Sequence, residues 1–168
     1  DTTTATVSFL FYELARNPEL AGDPGFVLDH AIDETLRMYP PAWIGPRRSV
    51  DPFHCCGHTL PGRAAIAHSS WITHHLPDVW DEPSEFRPDR FAPGNVEQIE
   101  KGAYIPFGGG SRTCLGMRFG QTEIRSIGEQ MLERFRLDLE PGYELSIHTS
   151  PTLGPRGGLP VRVRAARG

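Results

Sequence analysis

Apolar residues recur at helical spacing in three stretches of the chain. These are Thr4–Arg16, Phe26–Met38 and the longest one, Met117–Phe135, in which the apolar positions lie three or four residues apart. That spacing places the apolar side chains on one face of a helix. Asn17-Pro18 and Pro40-Pro41 follow the first two stretches, and proline stops a helix because it has no N–H to donate. The pattern predicts three amphipathic helices, the last of which buries Ile124, Ile127, Met131 and Phe135.

Short apolar runs broken by Gly and Pro occupy much of the remaining chain. Phe53-His54-Cys55 and Ala64–Ala67 are two of them, and apolar residues alternate with polar ones over 137–163. Such runs predict small antiparallel strands and hairpins. A short helix is predicted over 70–75, whereas 77–94 is predicted to be a long irregular loop, which in a compact domain is usually functional or held by specific contacts. The predicted fold class is therefore mainly α with small antiparallel β-sheets.

The composition fits one globular domain and argues against several classes of function. Of the 168 residues 38% are hydrophobic, and 18 glycines and 16 prolines indicate long connecting segments. A net charge of −4 argues against nucleic-acid binding. No apolar run reaches the ~18 residues of a membrane span, so no membrane segment is predicted. The three cysteines lack the spacing of a disulfide framework, which favours a reducing, cytoplasmic setting.

The strongest chemical signal lies between Pro106 and Gly116. Three consecutive glycines in this segment let the backbone turn tightly and approach a ligand closely. Arg112 stands two residues before Cys114, and the third predicted helix begins just after the segment. A nearby cation and a helix N-terminus both favour a thiolate over a thiol. The residues therefore predict a reactive sulfur in a shaped loop.

The residues alone leave the use of Cys114 open. The segment lacks the lysine of a phosphate-binding loop, the third glycine of a dinucleotide fingerprint and the Gly-x-Ser-x-Gly spacing of a nucleophilic serine. A nucleophilic cysteine, a thiolate ligand to a metal and a structural loop cysteine remain. The other cysteine-rich segment, His54–His58, lacks the second ligand pair that a zinc site usually needs.

The pattern Phe107-x-x-Gly110-x-Arg112-x-Cys114-x-Gly116 resembles the haem-binding loop of the cytochrome P-450 superfamily. The resemblance implies haem b as cofactor, with Cys114 as the axial ligand to the iron; a thiolate in that position pushes electron density onto the metal. It also implies that Arg112 pairs with a haem propionate and that Phe107 packs near the sulfur. Arg47 resembles a second propionate-binding arginine, and Arg48 is a close rival.

Two further landmarks resemble the same family. Glu34-x-x-Arg37 matches its Glu-x-x-Arg pattern, and Phe86–Phe91 matches its Phe-x-Pro-x-Arg-Phe segment. The resemblance implies that Arg90 joins Glu34 and Arg37 in one structural network, which would hold the loop over 77–94. Without the resemblance, a pair at i and i+3 would be interpreted as a solvated ion pair worth ~0–1 kcal/mol.

The first residues of the chain resemble the family's acid–threonine pair in the central helix over the haem. The resemblance implies that Asp1 and Thr2 are catalytic, delivering protons and stabilising bound dioxygen. The residues alone would make Asp1 a helix N-cap. Five residues stand where members of the family place turns that contact substrate, and the resemblance makes them candidate substrate contacts. They are Ala42, Trp43, Ile44, Pro151 and Thr152.

The resemblance extends over residues 1–168. It implies the C-terminal part of a single cytochrome P-450 domain, from the second half of the central helix through the haem-thiolate loop to C-terminal β-hairpins, incomplete at the N-terminus. The implied function is monooxygenation of a small organic substrate by O2, with electrons from NAD(P)H through a ferredoxin or a flavoprotein reductase. The chain alone is expected to be inactive. A peroxide-using peroxygenase of the same fold and a non-catalytic haem sensor are the alternatives.

Overall fold

Four helices and four two-stranded antiparallel sheets are present in the part of the chain described by the computed structural model, residues 1–20, 23 and 25–166. The helices are α1 (Thr2–Arg16), α2 (Leu28–Met38), α3 (Ser70–Thr73) and α4 (Met117–Arg134). The strands are β1 (Gly45–Arg48), β2 (Phe53–Cys55), β3 (His58–Leu60), β4 (Ala65–His68), β5 (Phe135–Leu139), β6 (Ile147–His148), β7 (Gly154–Pro155) and β8 (Val161–Ala165). Short 3₁₀ turns cover Pro88–Phe91, Val96–Gln98 and Gly110–Arg112. The predicted fold class is confirmed.

The strands are nested in two groups. β1 pairs with β4 around the β2–β3 hairpin, and β5 pairs with β8 around the β6–β7 pair. The prediction of hairpins in the tail is therefore wrong for β5, whose partner is the last strand. Leu137 stands opposite Val163, and Leu139 opposite Val161. These apolar cross-strand pairs explain the long-range pairing.

The main core lies where α1, α2 and α4 meet. Its buried side chains are Leu10, Phe11, Leu14, Ala31, Ile32, Leu36 and Ile124. The predicted buried face of α4 is wrong at two positions, because Ile127 and Phe135 are each 36% exposed. The contact face of α4 is centred on Ile124 and Gly128, where a Cβ on the glycine would lie 3.0 Å from a Leu28 methyl carbon. This close approach leaves Ile127 on the flank of the helix, and Phe135 already belongs to β5.

A buried ion pair joins α2 to the irregular segment predicted over 77–94. Glu34 and Arg37 are both fully buried, with Arg37 Nε 2.7 Å and Nη2 2.9 Å from the two carboxylate oxygens. Arg90 Nε lies 3.3 Å from Glu34 Oε1, and the backbone N–H of Arg87 donates to the same oxygen at 2.9 Å. The carboxylate therefore holds both α2 and the following loop.

The guanidinium of Arg37 uses its remaining donors on backbone carbonyls. Nη1 donates to the carbonyls of His74 (2.7 Å) and Pro83 (3.0 Å), and Nη2 also donates to that of Glu85 (3.4 Å). Its plane lies over the Trp80 ring, 5.2 Å from the centroid. The irregular segment keeps one shape because these side-chain bonds replace the backbone ladder that it lacks.

His74 connects the ion pair to the loop that carries Cys114. Its Nδ1–H donates to the carbonyl of Arg37 at 2.9 Å, and its Nε2 accepts from the backbone N–H of Ile105 at 2.9 Å. The second bond requires the neutral ring, because a protonated Nε2 has no lone pair with which to accept. Burial lowers the pKa of His74 to about 4, and the charge of Arg37 acts in the same direction. His74, near the end of the short helix predicted over 70–75, is thus a buried structural link.

None of the helices in the described part of the chain combines the length and the apolar character needed to cross a bilayer.

We predict that the stability associated with a neutral, buried His74 is lost as the pH drops from about 6.5 to about 4. Over that window the unfolded chain protonates His74 whereas the folded chain does not, so the loss should total about 3 kcal/mol. The free energy of unfolding by urea, measured across the window, should decline less steeply in His74→Gln. Exposed His54 provides the control, because His54→Gln should keep the slope. Identical slopes for wild type and His74→Gln would contradict this role.

Candidate functional site

A cavity of about 520 Å³ lies between the start of α1, the β1–β4 ribbon, the loop over 106–116 and the start of α4. Leu36, Phe107, Phe119 and Ile124 give it apolar walls, whereas its polar side chains come from separate elements. Those polar side chains include Thr2, Thr3, Thr6, Arg47, His68, Ser70, Arg112, Cys114 and Glu123. The fold therefore brings together sequence-distant groups around one concave surface.

The loop over 106–116 is shaped by its own backbone. The N–H of Cys114 donates to the carbonyl of Phe107 at 3.0 Å, which closes the loop and brings its two ends together. Gly108 and Gly110 have φ values of 72° and 66°, in the left-handed region that favours glycine. A side chain at either position would strain the turn, so these glycines permit the path that presents Cys114 to the cavity.

The sulfur of Cys114 lies at the mouth of the cavity beside the start of α4. The residue is exposed, and an ideal Cβ on Gly116, the N-cap of α4, would lie 3.9 Å from Sγ. The first N–H groups of a helix have no intrahelical partners, and their partial positive charge favours an anion nearby. The position suits a thiolate that acts as a ligand.

Two cationic side chains reach the cavity from different elements. Arg47 lines it from β1 and Arg112 from the loop, whereas Arg48 is absent from the lining and donates from Nη1 to the carbonyl of Arg63 at 3.0 Å. Strand alternation separates Arg47 from Arg48, because successive side chains point to opposite faces. The geometry favours Arg47 over Arg48 as the second cation of the site.

His68 is a cavity residue that the sequence reasoning missed. It stands directly opposite Gly45 in the β1–β4 pair, and Arg47 is two residues farther along the same face of β1. A Cβ on Gly45 would fall 2.1 Å from His68 Cε1, so the ring occupies the space that glycine leaves free. Side chains two residues apart on a strand share a face, and so do directly paired residues on neighbouring strands. The pairing of β1 with β4 around Arg47 is the signal that could have identified His68.

Thr2, Thr3 and Thr6 of α1 line the cavity, whereas Asp1 does not. Asp1 is the N-cap of α1, and its side chain makes no capping bond. Thr2 and Thr6 are one helical turn apart, and Thr6 Oγ1 donates to the carbonyl of Thr2 at 3.1 Å. The structure thus places hydroxyl groups, but not the neighbouring carboxylate, at the cavity wall.

The five candidate substrate contacts divide into two groups. Ala42 and Ile44 line the cavity. Trp43 points elsewhere, with its Nε1 donating to the carbonyl of Thr149 at 2.8 Å. Pro151 and Thr152 are not among the lining residues, although the next residue, Leu153, donates its N–H to the carbonyl of Pro41 at 3.0 Å. The segment over 149–153 therefore holds the turn over 41–44 in place by hydrogen bonds and does not itself line the cavity.

The donor set at the cavity fits haem. Among the described residues no three His, Cys, Asp or Glu side chains cluster around a common point. A macrocycle that supplies the other metal ligands itself needs only one protein sulfur, and Cys114 presents one. Two guanidinium groups, of Arg47 and Arg112, match the two carboxylates of haem, and the apolar walls match its ring.

Comparisons with known proteins agree with this geometry. The family model for cytochrome P-450 matches residues 26–155. A putative cytochrome P-450 136 of Mycobacterium tuberculosis is 31% identical over 98% of the chain, which covers 38% of that protein. A cyclooctat-9-en-7-ol 5-monooxygenase of Streptomyces melanosporofaciens is 30% identical over 86% of the chain, which covers 36% of that protein. The heme domain of a cytochrome P450DA superposes with a TM-score of 0.90 at 26% identity, over 99% of this chain and 41% of that one.

Proposed function

The chain belongs to the cytochrome P-450 family and has part of its fold, and on that premise we propose that it is the haem-thiolate region of a monooxygenase. The chain spans well under half the length of the relatives it matches. The observation that carries the proposal is the exposed Cys114 thiol at the start of α4, on a cavity that also holds Arg47 and Arg112. A relative named as a monooxygenase supports the reaction class.

The chain's own residues would hold the cofactor from three sides. Haem b, when bound, supplies the iron chemistry that activates O2 and inserts one oxygen atom into an organic substrate while the other leaves as water. Cys114 would provide the sulfur ligand, and Arg47 and Arg112 would pair with the propionates. Phe107 and the glycine turns would fix the position of the sulfur, because the N–H of Cys114 is bonded to the carbonyl of Phe107.

The hydroxyl groups of α1 at the cavity wall would take part in proton transfer. Thr2 Oγ1 lies at the cavity wall and would donate to or accept from a water there, which is the reach that general acid chemistry requires. Asp1, outside the wall, would act as a proton source through water rather than by direct contact. Ala42 and Ile44 would offer an apolar surface to a small organic substrate.

Electrons would come from NAD(P)H through a ferredoxin or a flavoprotein reductase. A reducing, cytoplasmic setting is consistent with the three free thiols of the chain. We also propose that the chain is inactive by itself. Phe119, which lines the cavity, is 76% exposed, so the cavity lacks the dry enclosure that catalysis needs.

Two other functions are separable by one assay. A peroxygenase would form product with peroxide and without NAD(P)H, and a haem sensor would form none with either. The threonine hydroxyls at the cavity favour the monooxygenase, because peroxide already carries the protons that such groups would deliver. In an intact enzyme that contains this chain, product that depends on NAD(P)H and a redox partner would support the proposal, whereas turnover by peroxide alone would favour the peroxygenase.

We predict that Cys114→Ser removes thiolate ligation from the haem-loaded protein. A serine hydroxyl is a poor soft ligand, so the reduced protein with CO should lose the red-shifted Soret band of thiolate ligation. Cys55→Ser serves as the control, because that thiol is exposed on a distant hairpin, and it should keep the band. Persistence of the band in Cys114→Ser would show that another group binds the iron.

In an intact, active enzyme that contains this chain, we predict that Thr2→Ala keeps haem binding but lowers the product formed per NAD(P)H consumed by about 10-fold or more, since general acid catalysis typically contributes about 10²–10⁴-fold. Thr4→Ala changes the same residue type on the outer side of α1 and should leave that ratio unchanged. Product and NAD(P)H are measured together, with peroxide as the expected by-product. Equal ratios in the two variants would remove Thr2 from the proton path.

A further inference from the structure

Two consecutive cysteines occupy the tip of the β2–β3 hairpin, away from the cavity. Cys55 ends β2, and Cys56 begins the turn that leads into β3. Both residues are exposed, and their sulfur atoms lie 3.6 Å apart. Neither residue lines the haem cavity, so the pair has no part in the function proposed above.

The turn explains why the two sulfurs meet. Successive side chains of a regular strand point to opposite faces. Cys56 has a φ of 51° and Gly57 a φ of 79°, the left-handed values of a two-residue hairpin turn. The left-handed backbone at Cys56 redirects its side chain, so that it shares a side with Cys55. The fold of the hairpin therefore organises the pair in advance of any ligand.

The separation suits two sulfurs bound to one atom. Two sulfurs bonded at about 2.3 Å to one atom, with an angle of about 95–110° between the bonds, are about 3.4–3.8 Å apart. A disulfide fits less well, because neighbouring Cα atoms are about 3.8 Å apart whereas disulfide-linked ones are usually about 4.4–6.8 Å apart. No third His, Cys, Asp or Glu completes a cluster here among the residues that the structure describes. Any bound ligand must therefore need only two donor atoms from the protein, the sulfurs of Cys55 and Cys56.

We propose that Cys55 and Cys56 form a dithiol site for a thiophilic centre with two exchangeable positions, such as a monosubstituted trivalent arsenical. The arsenic of R–As(OH)2 would exchange both hydroxyls for sulfur. Two As–O and two S–H bonds break, two As–S bonds form, and two molecules of water leave, with no change in oxidation state. The two thiol protons leave with the two hydroxyls as water, so the step balances. The hydrogen bond with Cys56 raises the pKa of Cys55.

Phenylarsine oxide tests the site in the full chain. Native mass spectrometry should show one adduct per chain, and a thiol assay should show that two of the three thiols are lost. The adduct should be released by an excess of a small dithiol but not of a monothiol. Cys55→Ser and Cys56→Ser should each weaken binding at least 10-fold, whereas Cys114→Ser should bind as wild type does.

A second comparison tests whether the hairpin organises the thiols. The folded chain should bind phenylarsine oxide at least 10-fold more tightly than the chain unfolded in urea. Equal affinity in the two states would overturn the proposal, because any pair of neighbouring cysteines would then suffice. An adduct that persists at wild-type affinity in both serine variants, or no adduct on the wild-type chain, would also overturn it.

Discussion

The buried ion pair between Glu34 and Arg37 is the interaction on which the rest of the structure depends. Removing two charges from water costs several kcal/mol per ion, and attraction offsets that cost only if the other donors and acceptors are satisfied. Here the five N–H groups of Arg37 meet the carboxylate and three carbonyls. The carboxylate also takes the N–H of Arg87 and the side chain of Arg90. Because unpaired charges would be costly here, the backbone of the irregular segment over 77–94 must keep the one path that satisfies both side chains.

A series of hydrogen bonds, joined by short stretches of backbone, runs from this pair to the backbone of Cys114. The carbonyl of Arg37 holds His74, which accepts the N–H of Ile105. The carbonyl of Ile105 accepts the N–H of Gly108, where the left-handed turns of the loop begin. The loop then closes between Phe107 and Cys114. The position of Cys114 therefore depends on a polar network that begins at the buried ion pair.

The sequence predicted the parts of the molecule that are governed by local pattern. Helical spacing predicted α1 and α2 to within two residues, and the glycines around Cys114 indicated a shaped loop. The pairing of β5 with β8 depends on contacts across more than 20 residues, which local alternation does not encode. Exposure of Ile127 depends on how closely α4 approaches Leu28, a property of two helices together.

The candidate site likewise divides into features that local sequence predicts and features that depend on distant contacts. Its motif residues could be named from the sequence, but their orientation could not. The choice between Arg47 and Arg48 required the register of β1 with β4. The orientation of Trp43 depends on the carbonyl of Thr149, which is far along the chain. His74 resembles a surface histidine in sequence, and only its two backbone partners reveal its role.

The most direct measurement is the thiolate signal of the haem-loaded protein after Arg37→Met. If the ion pair positions the loop, the variant should lose most of the red-shifted CO Soret band while its far-UV circular dichroism still shows the helices. Arg164→Met breaks an exposed ion pair with Asp138 and should keep the band. A folded Arg37→Met protein with the full thiolate band would contradict the account, because the sulfur would then be held independently of the network.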